Sequence, residues 1–129
     1  MITGQVDANL DALIRLSVQS PEGDLHEVDA VIDTGYNSFL TLPIDEVIAL
    51  GLIYLGRGAA TLANGREEEF DVYEAAVIWD GIERAVPVDA IEGGALVGMS
   101  LLNGHDLHIR VEVGGQVAIK PFFPTLFNP

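Results

Sequence analysis

Apolar and polar residues alternate along most of the chain, and a period of two is typical of β-strands that bury one face. The alternation is clear from Leu10 to Gln19, where every second residue from Ile14 to Val18 is apolar. Pro21-Glu22-Gly23 follows with residues that favour a turn. We therefore expect a hairpin whose second strand ends at Val31-Ile32.

Three further pairs of turn residues separate alternating segments, and each pair predicts a hairpin. Asn64-Gly65 lies between residues 59–62 and 69–73, and we expect a type I′ turn there because both residues tolerate positive φ. The other two pairs are Asp80-Gly81, between Val72–Trp79 and Ile82–Val88, and Gly114-Gly115, between Leu107–Val113 and Gln116–Lys120. The chain is predicted to be mostly β.

Two short segments favour helix instead. Pro43 and the acids after it begin a segment that ends at Gly51, and this order of proline, acids and glycine is typical of a short helix. Ser100 to Gly104 favour one further helical turn. The sequence thus predicts an all-β fold with one or two short helices.

Length and composition fit a single domain. A chain of 129 residues with 49% hydrophobic content can bury one substantial core. The only compositional shift is the proline-rich segment 121–129, whose three phenylalanines are too apolar for a solvated tail. We expect residues 1–129 to form one domain.

The charge balance excludes several classes of partner. Twenty acidic and six basic residues give a formal net charge of −14, and such a surface repels phosphate backbones and anionic lipids. No apolar stretch approaches the roughly 18 residues that a membrane span needs. The chain has no cysteine, which fits a reducing compartment. We expect a cytoplasmic protein that binds neither nucleic acid nor membrane.

The segment VIDTGYNSFLTLP, residues 31–43, places Asp33 at the end of an apolar strand and Gly35 two residues later. An aspartate there can simply begin a tight turn, because its side chain accepts hydrogen bonds from nearby backbone. The tripeptide Asp-Thr-Gly alone favours that interpretation. Two further features point to chemistry: the hairpin with Asn64-Gly65 at its tip, and the apolar segment 95–102, in which a strand meets Gly98 and then a short helix.

Together these features resemble the retropepsin-like (clan AA) aspartic proteases, and more closely their small bacterial and archaeal single-domain relatives. The shared pattern reads DTGxxxxLTLP … LxGxxLL, and the resemblance spans roughly Ala30 to Leu102. It implies a closed acid-protease β-barrel whose active site lies between two lobes, each with one Asp-Thr-Gly, under a β-hairpin flap. Because this chain has one Asp-Thr-Gly, the resemblance implies a homodimer.

The resemblance also implies roles for individual residues. Two copies of Asp33 would share one proton and activate a water to hydrolyse an extended peptide, without cofactor or metal. Thr34 would hydrogen-bond across the dimer axis, and Gly35 would let the backbone pass close to the substrate. The implied substrate-binding residues are Ala63, Asn64 and Gly65 of the flap, and Tyr36, Leu96 and Gly98 around the cleft.

The sequence departs from the viral pattern at three positions. Viral enzymes pair an acid two residues after the motif glycine with an arginine after the later glycine, and this chain has Asn37 and Met99 there. Side-chain bonds of Asn37 or Ser38 are candidates for holding the turn instead. Tyr36 replaces a small residue and could narrow the cleft. The alternative is therefore a peptide-binding or dimerisation module that kept the barrel without catalysis.

His105, Asp106 and His108 invite a metal-site interpretation, because imidazole and carboxylate are common ligands. On a strand, however, His105 and His108 point to opposite faces, so we expect surface residues and no metal site. Trp79, at the end of a predicted hairpin strand, is expected to pack in the core or at an interface.

Overall fold

Ten strands and two short helices make up the part of the chain that the computed structural model describes, residues 1–122. The strands are β1 (Ile2–Val6), β2 (Ala12–Gln19), β3 (Leu25–Ile32), β4 (Leu40–Pro43), β5 (Ile53–Thr61), β6 (Glu67–Trp79), β7 (Ile82–Ile91), β8 (Ala95–Val97), β9 (His105–Ile109) and β10 (Gln116–Pro121). The helices are α1 (Ile44–Leu50) and α2 (Met99–Leu102).

Six of these strands close into a barrel, in the order β2-β3-β8-β4-β7-β6 and back to β2. The closing contact pairs Ser17–Gln19 of β2 with Ala76–Ile78 of β6. Within the barrel, β3 runs parallel to its neighbour β8, and β4 runs parallel to its neighbour β7. The other neighbouring strands of the barrel are antiparallel. The predicted all-β closed barrel with two short helices is confirmed.

The barrel interior is filled by the apolar face of each strand. In β2 the residues Ala12, Ile14, Leu16 and Val18 are buried while their neighbours are more exposed, as the alternation predicts. Leu40 and Leu42 of β4 and Leu101 of α2 join the same core and are fully buried. Each such leucine or isoleucine contributes roughly 1.5–3 kcal/mol relative to an exposed position.

Two predicted hairpin turns have the expected geometry. Gly23 has φ of 95° and its N–H donates to the Ser20 carbonyl, which returns the chain from β2 to β3. Asp80 and Gly81 have φ of 51° and 81°, and they lie between the paired residues Trp79 and Ile82. Two positive φ values in a two-residue loop are those of a type I′ turn.

Both predicted helices are present. α1 follows Pro43, carries Asp45 and Glu46 in its first turn, and ends at Gly51 in the left-handed conformation with φ of 64°. The second helical turn begins at Met99 and ends at Leu102, whereas the sequence predicted Ser100 to Gly104.

Several strands differ from the predictions: β4 is not predicted, β5 begins at Ile53 rather than at residue 59, and the predicted strands 69–73 and 72–79 form the single strand β6. β1 was not predicted, although it pairs with both β2 and β10. Leu10 was assigned to a strand, but it lies in a turn with φ of 63°, and β2 begins at Ala12. β9 ends at Ile109 rather than at Val113, because residues 110–115 form a loop that is tied to β1 through the Gly114 N–H and the Val6 carbonyl.

Only two residues of the apolar segment 121–129 lie within the described part. Pro121 ends β10, and Phe122 donates its N–H to the Gly104 carbonyl at 3.1 Å. The prediction that this segment is not a solvated tail falls mainly on residues 123–129, outside the described residues. Neither of the two described helices is long and apolar enough to cross a membrane.

Candidate active site

Asp33 is the first residue after β3, at the point where the chain leaves the barrel wall. β3 runs parallel to β8, and the Asp33 N–H continues this pairing by donating to the Val97 carbonyl at 2.9 Å. The Tyr36 N–H then donates to the Asp33 carbonyl at 3.1 Å, which closes a turn. Asp33 is therefore anchored on a central strand, while its side chain is part-exposed.

The Asp33 carboxylate accepts one hydrogen bond from its own turn. The Gly35 N–H donates to Oδ1 at 2.9 Å, as expected for an aspartate that begins a tight turn. A Cβ atom at position 35 would lie 3.3 Å from that oxygen, which is a tight contact. The second carboxylate oxygen has no hydrogen bond from residues 1–122, so it is free to bind a water or a second group.

The residues after Asp-Thr-Gly are held by the junction of β8 and α2. Gly98, Met99 and Ser100 donate their N–H groups to the carbonyls of Phe39, Tyr36 and Ser38, at 2.9, 2.8 and 3.0 Å. The Ser100 hydroxyl donates to the Asn37 carbonyl. Backbone groups thus hold the turn to α2, with one side-chain donor from Ser100. The Asn37 side chain makes no hydrogen bond within residues 1–122, so that candidate is wrong. Burial raises the pKa of the Tyr36 hydroxyl and a hydrogen bond of the Ser38 side chain opposes that increase, so Ser38 stays a candidate.

Gly98 is required at this junction because other backbone comes very close. A Cβ atom there would lie 2.2 Å from the Ser38 carbonyl oxygen and 2.6 Å from Cδ2 of the Tyr36 ring. Gly98 is buried behind Tyr36 rather than exposed to the cleft. Its function at this position is close packing.

The hairpin of β5 and β6 has the expected place but a different turn. The Leu62 N–H donates to the Arg66 carbonyl at 2.7 Å, and the Gly65 N–H donates to the Leu62 carbonyl at 2.9 Å. Only Gly65 has a positive φ within this loop, 82°. This is the pattern of a three-residue loop with a glycine at its third position, so the predicted type I′ turn is wrong.

A cavity of about 680 Å³ lies between this hairpin, the Asp-Thr-Gly turn, and strands β7 and β8. Four predicted site residues line it: Asp33, Gly35, Tyr36 and Leu96. The hairpin lines it through residues 58–62 of one arm and through Glu68, Phe70 and Val72 of the other. The predicted tip residues Ala63, Asn64 and Gly65 do not line it. The structure therefore brings the aspartate and the hairpin arm to the same cleft.

Thr34 faces a different part of the surface. It is exposed and lines a second cavity, of about 510 Å³, together with Asn37, Met99 and Phe122. This cavity adjoins the first at Asn37, which lines both. Asp33 and Thr34, though adjacent in sequence, thus line different cavities.

Sequence reasoning missed Asp89, a buried acid in the same cleft. Asp89 lies on β7, is 7% exposed, and accepts a hydrogen bond on Oδ2 from the Tyr36 hydroxyl at 2.5 Å. Burial raises the pKa of Asp89, and the hydrogen bond from Tyr36 opposes that increase. Burial, and then the bond to Asp89, raise the pKa of the Tyr36 hydroxyl. A lone acid within the apolar run from Val86 to Ile91 was the signal that could have revealed it.

The histidines lie away from this cleft. Trp79 is buried in the core, as predicted, and its Nε1–H donates to Nε2 of His105 at 3.1 Å. Nδ1 of His105 bonds the Asn103 carbonyl at 3.1 Å, so both ring nitrogens have partners. His108 is exposed on the other face of β9. Within residues 1–122, no three histidine, aspartate or glutamate residues are grouped so that they could hold a metal ion.

A scan against models of protein families, a search of curated proteins and a search of solved structures each found no match to this chain.

Proposed function

We propose that this chain is an aspartic endopeptidase of the retropepsin-like kind, active as a homodimer in which each copy supplies one Asp33. The observation that carries the proposal is the position of Asp33. It follows a central barrel strand, has one carboxylate oxygen without a hydrogen bond from the described residues, and lines a cleft beneath a β-hairpin.

Two Asp33 carboxylates held close together share one proton, because two like charges at short range cannot both ionise cheaply. The charged Asp33 accepts a proton from a water, whose oxygen bonds to the scissile carbonyl carbon. The protonated Asp33 of the other copy donates its proton to the carbonyl oxygen. When the intermediate breaks down, the leaving nitrogen takes a proton from the first carboxyl group as the C–N bond breaks, and one hydroxyl of the intermediate returns its proton to the other Asp33 carboxylate as the new carbonyl forms.

The surface beside the Asp-Thr-Gly turn supports a homodimer. Thr34 is exposed there, and two large apolar side chains line the same cavity: Met99 is 45% exposed and Phe122 is 55% exposed. Exposed apolar side chains grouped around a polar motif are typical of a protein interface. A twofold axis near Thr34 would bring the two Asp33 residues together.

The substrate proposed for the dimer is an extended peptide lying between the turn and the β5–β6 hairpin. Its backbone would hydrogen-bond as an added strand, and its side chains would enter the cavity of about 680 Å³. This volume lies in the range of about 300–1,000 Å³ that is usual for ligand pockets. We place the enzyme in the cytoplasm because the chain has no cysteine.

The direct test replaces Asp33 with asparagine and measures cleavage of a peptide library by mass spectrometry at acidic and neutral pH. Loss of the acid–base pair should reduce the cleavage rate by roughly 10²–10⁴-fold. Asp45→Asn, on the exposed side of α1, is the matched control and should leave the rate unchanged. Circular dichroism and light scattering should show the same fold and assembly for all three proteins. Cleavage retained in the Asp33 variant would exclude the proposed role.

A second candidate function is a non-catalytic peptide-binding or dimerisation module. The observation that favours it is Tyr36, whose side chain occupies space between Gly98 and Asp89 within the cleft. A statine-type inhibitor separates the two candidates, because its hydroxyl binds between paired catalytic carboxylates. Inhibitor binding that disappears in Asp33→Asn supports the endopeptidase, whereas peptide binding without inhibitor binding supports the module.

A further inference from the structure

Asp89 belongs to the cleft and not to the barrel core. Its neighbours along β7, Val88 and Ala90, are buried in the core, so the Asp89 side chain points to the opposite side of the strand. In the sheet, Asp89 is paired with Thr41 of β4 and with Val72 of β6. Thr41, Val72 and Asp89 all line the cavity beneath the hairpin.

The protein supplies this buried carboxylate with few partners. Within residues 1–122, its one side-chain hydrogen bond comes from the Tyr36 hydroxyl to Oδ2, and Oδ1 has none. The nearby Thr41 hydroxyl cannot serve, because it accepts the Leu96 N–H at 2.9 Å and donates toward the Gly94 carbonyl. No buried side-chain nitrogen or oxygen atom of residues 1–122 lacks a hydrogen-bond partner, so the unbonded Oδ1 of Asp89 is not enclosed by protein and is open to a ligand in the cavity.

Among residues 1–122, no positively charged side chain lines the cleft. The lining includes the acids Asp33, Glu68 and Asp89. Arg57, on the neighbouring strand β5, bonds Glu69 and Asp71 instead, at 3.0 and 3.1 Å. A cation that pairs with Asp89 would therefore come from outside residues 1–122, and a cleft that takes peptides can receive it from a peptide side chain.

We propose that Asp89 determines specificity, so that the cleft selects peptides carrying a lysine or arginine side chain whose cationic group reaches Asp89 beside the Tyr36 hydroxyl. This inference rests on the proposed peptidase function, because it assumes that a peptide lies in the cleft. A carboxylate at the base of a pocket is also how serine proteases of basic specificity recognise their substrates. The raised pKa of Asp89 fits an acid that lacks its cation, since a nearby positive charge would lower it.

Binding can be measured without cleavage in the Asp33→Asn background. Fluorescence anisotropy would compare labelled hexapeptides in which one position carries lysine, arginine or the uncharged isostere norleucine, with that position moved along the peptide. At one position at least, the cationic peptides should bind about tenfold or more tightly than norleucine, the scale of a hydrogen bond between charged groups.

Asp89→Asn in the same background should abolish this preference while keeping an acceptor for the Tyr36 hydroxyl, so the fold is retained. Asp45→Asn is the matched control: it removes the same charge from an exposed residue of α1, outside the cavity, and should keep the preference. Equal binding of lysine and norleucine peptides at every position, or a preference that survives Asp89→Asn, would overturn the inference.

Failure of this inference is distinguishable from failure of the proposed function. If the unmodified protein cleaves peptides through Asp33 without any preference for basic residues, the peptidase function is supported and the proposed role of Asp89 is wrong. If it cleaves no peptide but binds basic peptides through Asp89, the role of Asp89 is supported and the proposed catalysis is wrong.

Discussion

Tyr36 and Asp89 are coupled, because the Tyr36 hydroxyl donates a hydrogen bond to the buried Asp89 carboxylate. The aromatic side chain that follows the Asp-Thr-Gly turn reaches across the cleft, and its hydroxyl donates the hydrogen bond that makes a buried acid tolerable on β7. The Tyr36 hydroxyl also lies 3.3 Å from the Leu40 carbonyl, so it is fixed between two strands. The two side chains are best regarded as one unit of the cleft.

Replacing Tyr36 with phenylalanine should therefore destabilise the fold, because Asp89 stays buried without its hydrogen bond. The change leaves the carboxylate without its hydrogen bond, which we expect to lower the free energy of unfolding by about 1–3 kcal/mol. Urea unfolding at neutral pH, followed by circular dichroism, measures this difference. If Tyr36→Phe is as stable as the unmodified chain, the bond to Asp89 does not stabilise the fold.

The same pair predicts a pH dependence with a definite sign. The pKa of Asp89 is raised above 3.8 in the folded chain, chiefly by burial, so the folded state binds a proton more readily than the unfolded state. Its contribution to stability is therefore fully present below that value and is lost as the pH rises through the folded pKa. Loss of the Tyr36 bond raises the folded pKa further, so Tyr36→Phe should be more destabilising at pH 7 than at pH 4.

A double variant isolates this effect. With Asp89→Asn no charge can form at position 89, so the destabilisation caused by Tyr36→Phe should become independent of pH. Urea unfolding of the four proteins at the two pH values completes the cycle. A pH dependence that persists in the Asp89→Asn background would assign the effect to another titratable group.

At the scale of elements, the junction between β8 and α2 holds the Asp-Thr-Gly turn in place. Consecutive N–H groups from this junction bond the carbonyls of the segment after the turn, so small displacements at Gly98 are transmitted to Asp33. Gly98→Ala should destabilise the fold by about 1–3 kcal/mol, because the new Cβ would lie 2.2 Å from the backbone oxygen of Ser38.

Gly94→Ala is the matched control, because a Cβ atom there meets nothing within 4 Å and its φ is not positive. Chemical denaturation of both variants measures the difference, and equal midpoints would show that the junction accommodates the methyl group.

The elements also show what could be predicted from the sequence. The hairpin turns at residues 21–23 and 80–81 depend on local residues that favour positive φ, so the sequence predicts them correctly. β1 was missed because Ile2 pairs with Ile119, at the far end of the described chain, and no local pattern reports such a contact. For the same reason β9 ends early: the loop after it is fixed by Val6, a residue from β1.

Some residues of the candidate site could also be predicted from the sequence, and others could not. Asp33, Tyr36 and Leu96 could be proposed from motif spacing, and they line one cleft. The sequence marks Asp89 only as a lone acid in an apolar run, and its place in that cleft depends on the parallel pairing of β7 with β4, which no local pattern reports. Residues 58–62 of the hairpin arm line the cavity, whereas the tip does not.

At the scale of the whole molecule, the net charge of −14 acts against the proposed homodimer, because two copies repel each other at long range. Salt shortens the range of that repulsion, because the Debye length falls from about 30 Å at 0.01 M to about 8 Å at 0.15 M ionic strength. We therefore expect the dimer to tighten as ionic strength rises, provided that the interface is the apolar surface around Met99 and Phe122. Sedimentation equilibrium at the two salt concentrations measures the dissociation constant directly.

Peptide cleavage should follow the same equilibrium, since one copy supplies only one Asp33. Below the dissociation constant the cleavage rate should rise with the square of protein concentration, and added salt should move this region to lower concentration. Met99→Asp, which adds a charge to the apolar surface, should shift both dissociation and activity to higher concentration. Ile82→Asp is the control, because it adds the same charge at an exposed hairpin position away from that cavity. A rate that stays proportional to concentration in a protein that sediments as a monomer would show that catalysis does not need two copies of Asp33.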